Sequence, residues 1–69
     1  MSDLNKIFAS NLKKYRKQYK ISQAELSSKT GLNRAYISQI ECNKRNISIK
    51  NLEKIANALS IEAYKLIKE

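Results

Sequence analysis

Fourteen lysines and arginines against six acids, no histidine and one cysteine define the chemistry open to this 69-residue chain. Ser22 and Ser38 have no histidine to activate them as nucleophiles. There is no glycine-rich phosphate loop and no carboxylate pair at a useful spacing, so no enzyme constellation is expected. Cys42 has no partner for an intramolecular disulfide, and without histidine no zinc ligand set can be assembled. What remains is a supply of cations and hydrogen-bond donors, unevenly placed. Residues 1–20 hold six basic side chains and one acid, Asp3; residues 43–54 hold Lys44, Arg45, Lys50 and Lys54 against Glu53. Residues 21–42 balance at zero. Two basic segments around a neutral one suit a polyanion held on both sides of a reading element. A solvated, lysine-rich helix face is the other reading of the same charge.

Helices must carry these groups. The chain has no proline and one glycine, Gly31, and is rich in Lys, Leu, Ile, Ala and Glu. Helix 1 is expected from Asp3, capped by Ser2 or Asp3, to about Gln18, with Leu4, Ile7, Phe8, Leu12 and Tyr15 as an apolar stripe. Ser22-Gln23-Ala24-Glu25 is a capping box that opens helix 2, which ends at Gly31. Ala24, Leu26 and Ser27 are expected to face inward. Helix 3 is capped by Asn33 and runs from Arg34 to about Cys42, with Ile37 and Ile40 inward. After the polar run 43–46, Ser48 caps helix 4, Ile49 to Leu59. Ser60 caps a fifth helix from Ile61 to about Lys68. One domain, 1–69, is expected; its core is thin, because a chain this short buries only about 60% of its unfolded surface.

Helices 2 and 3 are separated by three residues beginning with glycine, the signature of a helix-turn-helix. The stretch QAELSSKTGLNRAYISQIE, Gln23 to Glu41, resembles the repressor-type helix-turn-helix family of phage repressors and Cro-like regulators. Gln23, Leu26, Gly31, Leu32, Asn33, Ile37, Ser38, Ile40 and Glu41 match its pattern without gaps. Leu12, Tyr15 and Arg16 extend the match through helix 1, and Leu52, Ile55, Leu59 and Ile61 through helices 4 and 5. The string NRAYISQIECNKRNISIKNLEKI resembles, more narrowly, the controller proteins of restriction–modification systems. Four positions depart from the family pattern: Lys20 and Asn43 stand where glycine is usual, Ser27 replaces alanine, and Ala35 replaces a polar base-contacting residue.

The resemblance implies an all-α, five-helix repressor-like domain with the helix-turn-helix at helices 2–3. It implies a transcriptional regulator that binds a near-palindromic operator in double-stranded DNA as a homodimer, with no cofactor. Arg34 is then suited to guanine, Gln39 to adenine and Ala35 to a thymine methyl. Gln23, Tyr36, Ser38, Asn43, Lys44, Arg45 and Asn46 are expected on the DNA backbone. Ile61, Tyr64, Leu66 and Ile67 are too many apolar side chains for a short terminal helix to send into one core, so they are expected to contribute to the dimer interface. The resemblance also brings Arg16 and Glu41 together as an ion pair. Helix dipole arguments agree, since a carboxylate at the end of helix 3 needs a cation.

Cys42 is read as a structural or half-exposed thiol. Lys13, Lys14, Arg16 and Lys17 lie where a signal peptide would be apolar, and no apolar run approaches the ~20 residues a membrane span needs, so a cytoplasmic protein is expected. RNA polymerase is a further candidate partner. Open alternatives are a phage-type repressor, an antitoxin, the DNA-binding part of a larger regulator, and a protein-interaction adaptor that does not bind specific DNA.

Overall fold

The computed structural model describes residues 3–69. Four α-helices, α1 (Asp3–Gln18), α2 (Gln23–Thr30), α3 (Arg34–Glu41) and α4 (Ile49–Leu59), are followed by one 3₁₀ turn, Ala63–Leu66. The capping role of Ser2 lies outside the described residues.

Local chemistry accounts for the helix starts. Ser22 Oγ accepts from the Glu25 N–H at 3.0 Å, Asn33 Oδ1 from Ala35 N–H at 2.7 Å, and Ser48 Oγ from Asn51 N–H at 3.1 Å. Each bond satisfies one orphan donor, and losing such a cap costs about 1 kcal/mol.

Three helix ends share one device. After α1, Ile21 N–H donates to Arg16 C=O and Lys20 N–H to Lys17 C=O; after α3, Lys44 pairs with Gln39 and Asn43 with Ile40; after α4, Ile61 pairs with Ala56 and Ser60 with Asn57. These are Schellman pairings, which demand a left-handed residue. Lys20, Asn43 and Ser60 supply it at φ 57°, 56° and 57°. A side chain in that region costs about 1–2 kcal/mol, least for asparagine, so the two carbonyls capped each time offset local strain.

Ser60 therefore closes α4 instead of opening a fifth helix. The expected helix 5 is only a 3₁₀ turn, and Glu62, which precedes it, makes no side-chain cap bond. Short segments cannot meet the cost of helix nucleation alone. The carbonyls of Leu66 and Lys68 accept instead from Asn11 Nδ2 of α1, at 3.0 and 2.8 Å.

The core is Phe8, Leu12, Leu26, Ile37, Ile40, Ile55 and Leu66, each under 2% exposed, with Ala56 and Leu59. Burying each of these large side chains is worth about 1.5–3 kcal/mol relative to exposure. Two expected inward residues are not inward. Ala24 is exposed, because at 3.6 residues per turn it lies about 200° around α2 from Leu26. Leu4 is 53% exposed, at the edge of an open groove that it lines with Ile47, Leu52 and Ile67.

Candidate nucleic-acid interface

The turn between α2 and α3 fixes the angle at which α3 is presented. Gly31 takes φ 76° and its N–H donates to Ser27 C=O. The Thr30 hydroxyl donates to Leu26 C=O at 2.8 Å and accepts from Leu32 N–H at 3.1 Å. Ser27 Oγ donates to Leu32 C=O, so the serine at a usual alanine position fastens the turn.

Ile37 and Ile40 anchor α3 in the core, which turns its other face outward. Arg34, Ala35 and Gln39 are exposed there; Tyr36 and Ser38 are half-buried. Lys44, Arg45 and Asn46 follow as an exposed loop. Arg45 folds back over this face. Its guanidinium lies 5.0 Å from the centre of the Tyr36 ring, and Nη1 donates to Gln39 Oε1 at 3.3 Å. The Tyr36 hydroxyl oxygen accepts from Asn51 Nδ2 of α4 at 3.0 Å. Gln39, expected as an independent reader, thus has its oxygen engaged by the loop.

Beneath this face lies a charge network. Arg16 Nε donates to Glu41 Oε2 at 2.7 Å, Nη2 to Oε1 at 3.0 Å, and Nη1 to Ile21 C=O at 3.0 Å. Gln23 Nε2 also donates to Glu41 Oε1, at 3.1 Å. The hydrogen bond to Glu41 raises the Arg16 pKa, reinforced by the carboxylate's charge and opposed by burial. Gln23 is therefore oriented at the start of α2 and keeps one amide hydrogen beyond the bond to Glu41.

Asn43 is half-buried, and its Oδ1 is buried with no partner among the described residues. Its side chain is turned partly inward, and its backbone N–H is spent on Ile40. Cys42 is exposed. No group of three or more His, Cys, Asp or Glu among the described residues could hold a metal, and no described helix is long and apolar enough to cross a membrane.

The four residues expected at a dimer interface divide. Leu66 is 0% exposed and fills the core, which removes it from any interface. The 3₁₀ turn packs against α1 and α4 and holds it there. Tyr64 is 56% exposed, while Ile61 and Ile67 are half-buried. Ile67 lines an apolar groove with Leu4, Ile47, Ile49 and Leu52, in which Ile49 is 80% exposed.

Three positioning contacts were not found by sequence reasoning: Asn51 to Tyr36, Asn11 to the C-terminal carbonyls, and Asn5, whose Oδ1 accepts from Ile47 N–H at 3.0 Å and ties the cationic loop to α1. Asparagines at 15 to 57 positions from their partners leave no periodic or local signal.

The helix-turn-helix family model matches residues 12–66. The chain is 40% identical over 65 residues to a hypothetical transcription factor of Neisseria meningitidis serogroup B, covering 94% of this chain and 61% of that protein. It is also 40% identical over 70 residues to control protein C.MunI of Mycoplasma sp, covering 100% of this chain and 95% of the relative. Among solved structures, the restriction–modification controller protein C.Esp1396I, as a tetramer in complex with its natural 35 base-pair operator, superposes with a TM-score of 0.85 at 33% identity, over 99% of this chain and 100% of that one. With the turn at Gly31, the outward face of α3 and this match over most of its length, the chain belongs to the helix-turn-helix family of DNA-binding transcription regulators.

Proposed function

We propose that the whole 69-residue chain acts as one DNA-binding domain that reads a near-palindromic operator as a homodimer, in the cytoplasm, as the controller of a restriction–modification operon. One observation carries the reading: α3 is anchored by Ile37 and Ile40 while Arg34, Ala35 and Gln39 stand exposed beside the cationic loop Lys44–Asn46. Arg34 pairs with guanine O6 and N7, Ala35 meets a thymine methyl, and Gln39 faces adenine. Gln23, Tyr36, Ser38, Asn43, Lys44, Arg45 and Asn46 hold phosphates, which gives affinity and salt dependence without sequence information. The role is binding, with no catalytic step. The likeness to C.MunI and C.Esp1396I favours the controller role. RNA polymerase becomes a partner where the operator adjoins a promoter.

Two-fold symmetry sets the test. Selection from a random duplex library should enrich two inverted half-sites centred about 34 Å, one helical turn, apart, with two chains bound per site. A selection that enriches no consensus would leave a protein-interaction adaptor as the better account. A consensus found beside an endonuclease or methyltransferase gene would support the controller role, and its absence there would remove it.

A further inference from the structure

We propose that Asn51, on α4 and outside the helix-turn-helix, is a positioning residue for the DNA backbone contact of Tyr36. This rests on the reading that α3 faces operator DNA. The Asn51 amide nitrogen donates to the Tyr36 hydroxyl oxygen at 3.0 Å. A phenolic hydroxyl has one hydrogen to give and lone pairs to accept with. Donation from Asn51 occupies the acceptor side, so the hydrogen is left for an outside acceptor. A phosphate oxygen is such an acceptor and cannot donate. Had an ionised carboxylate stood at position 51, the hydroxyl would have spent its hydrogen inside the protein and met phosphate lone pair to lone pair. A donor feeding the oxygen also polarises the O–H bond and strengthens its outward bond.

Both partners are held in place. The Tyr36 ring packs against the core cluster and lies under the Arg45 guanidinium. Asn51 has its backbone N–H fixed on the Ser48 cap, and α4 is anchored by Ile55, Ala56 and Leu59. A helix that takes no part in reading bases thus directs a neutral phosphate donor on the reading helix.

A double-mutant cycle in the full chain tests this. Operator Kd is measured across a salt series for wild type, Tyr36→Phe, Asn51→Ala and the double variant, with melting temperatures recorded alongside. Asn51→Leu serves as a second variant that fills the same space without a donor. Tyr36→Phe should weaken binding about tenfold, the loss of one hydrogen bond to a charged acceptor. Asn51→Ala and Asn51→Leu should weaken it several-fold, and neither should weaken it further in the Tyr36→Phe background. Because the lost contact is neutral, plots of log affinity against log salt should shift while staying parallel. A structural displacement of α3 would also remove cationic contacts and flatten the slope. The proposal is overturned by unchanged binding of both Asn51 variants, by losses that add independently to that of Tyr36→Phe, by a flattened slope, or by unchanged binding of Tyr36→Phe. Any of these leaves operator binding standing; a wild-type chain that binds no DNA specifically overturns the operator reading and this proposal together.

Discussion

Arg16 and Glu41, 25 positions apart, meet through two parallel hydrogen bonds of 2.7 and 3.0 Å, with the Glu41 side chain only 3% exposed. The planar guanidinium fork matches the carboxylate in a way a lysine could not. The pair joins the end of α1 to the end of α3, and through Gln23 to the start of α2.

Arg16→Ala should therefore cost ~3–5 kcal/mol of stability, since it strands a buried carboxylate. Arg16→Lys should recover only part of this. Urea unfolding measures both. The sign of the pH dependence follows from the raised Arg16 pKa. The arginine's contribution is present below its unfolded value and is lost only as pH rises through the still higher folded value. The gap between the wild-type and Arg16→Ala midpoints should owe no change to Arg16 titration across roughly pH 6–9. A loss of 1 kcal/mol or less, about that of an exposed pair, would contradict the structural role assigned here.

Arg34 is exposed in the first turn of α3. Arg34→Ala should weaken specific binding by ~1–3 kcal/mol and relax preference at one base pair in each half-site. Competition between operators substituted singly at each position measures this. Unchanged selectivity would remove Arg34 from the reading set.

Lys44 and Arg45 adjoin in sequence but differ in surroundings. Lys44→Ala should lower affinity for all duplexes alike and flatten the salt slope by about one unit per site. Arg45→Ala should do this and also change preference at the base pair faced by Gln39, because Arg45 donates to the Gln39 oxygen. Identical base preferences in the two variants would show that the Arg45–Gln39 contact plays no part in recognition.

Leu66 and Tyr64 should separate core from interface. Leu66→Lys should unfold the chain, since it buries a charge where exposure is 0%. Tyr64→Lys should leave melting of the monomer nearly unchanged while sedimentation shifts toward monomer and operator affinity falls. If Tyr64→Lys stays dimeric, the apolar groove of Leu4, Ile49 and Ile67 is the next surface to substitute.

Features closed within a few residues were determined by the sequence alone. The caps at Ser22, Asn33 and Ser48 bond two or three positions away, so the starts of α2, α3 and α4 follow from local chemistry. Gly31, the outward Arg34, Ala35 and Gln39, and the basic segments were legible for the same reason. The Arg16–Glu41 contact came from the family resemblance, with local reasoning beside it: Arg16 follows Tyr15 on the inner side of helix 1, and Glu41 follows inward-facing Ile40 at a helix end where a carboxylate needs a cation. The tertiary structure decided what depends on distant partners. Ser60 could cap either α4 or a following helix, and the choice fell to α4 because Ile61 and Ser60 satisfy its last carbonyls while Asn11 takes those of the tail. Leu66 could serve a core or an interface by its type, and packing of the 3₁₀ turn on α1 and α4 placed it inside. Asn51 and Asn5 carry no periodic signal, because a side-chain amide reaching 15 or 42 positions along the chain depends on where other helices have already packed.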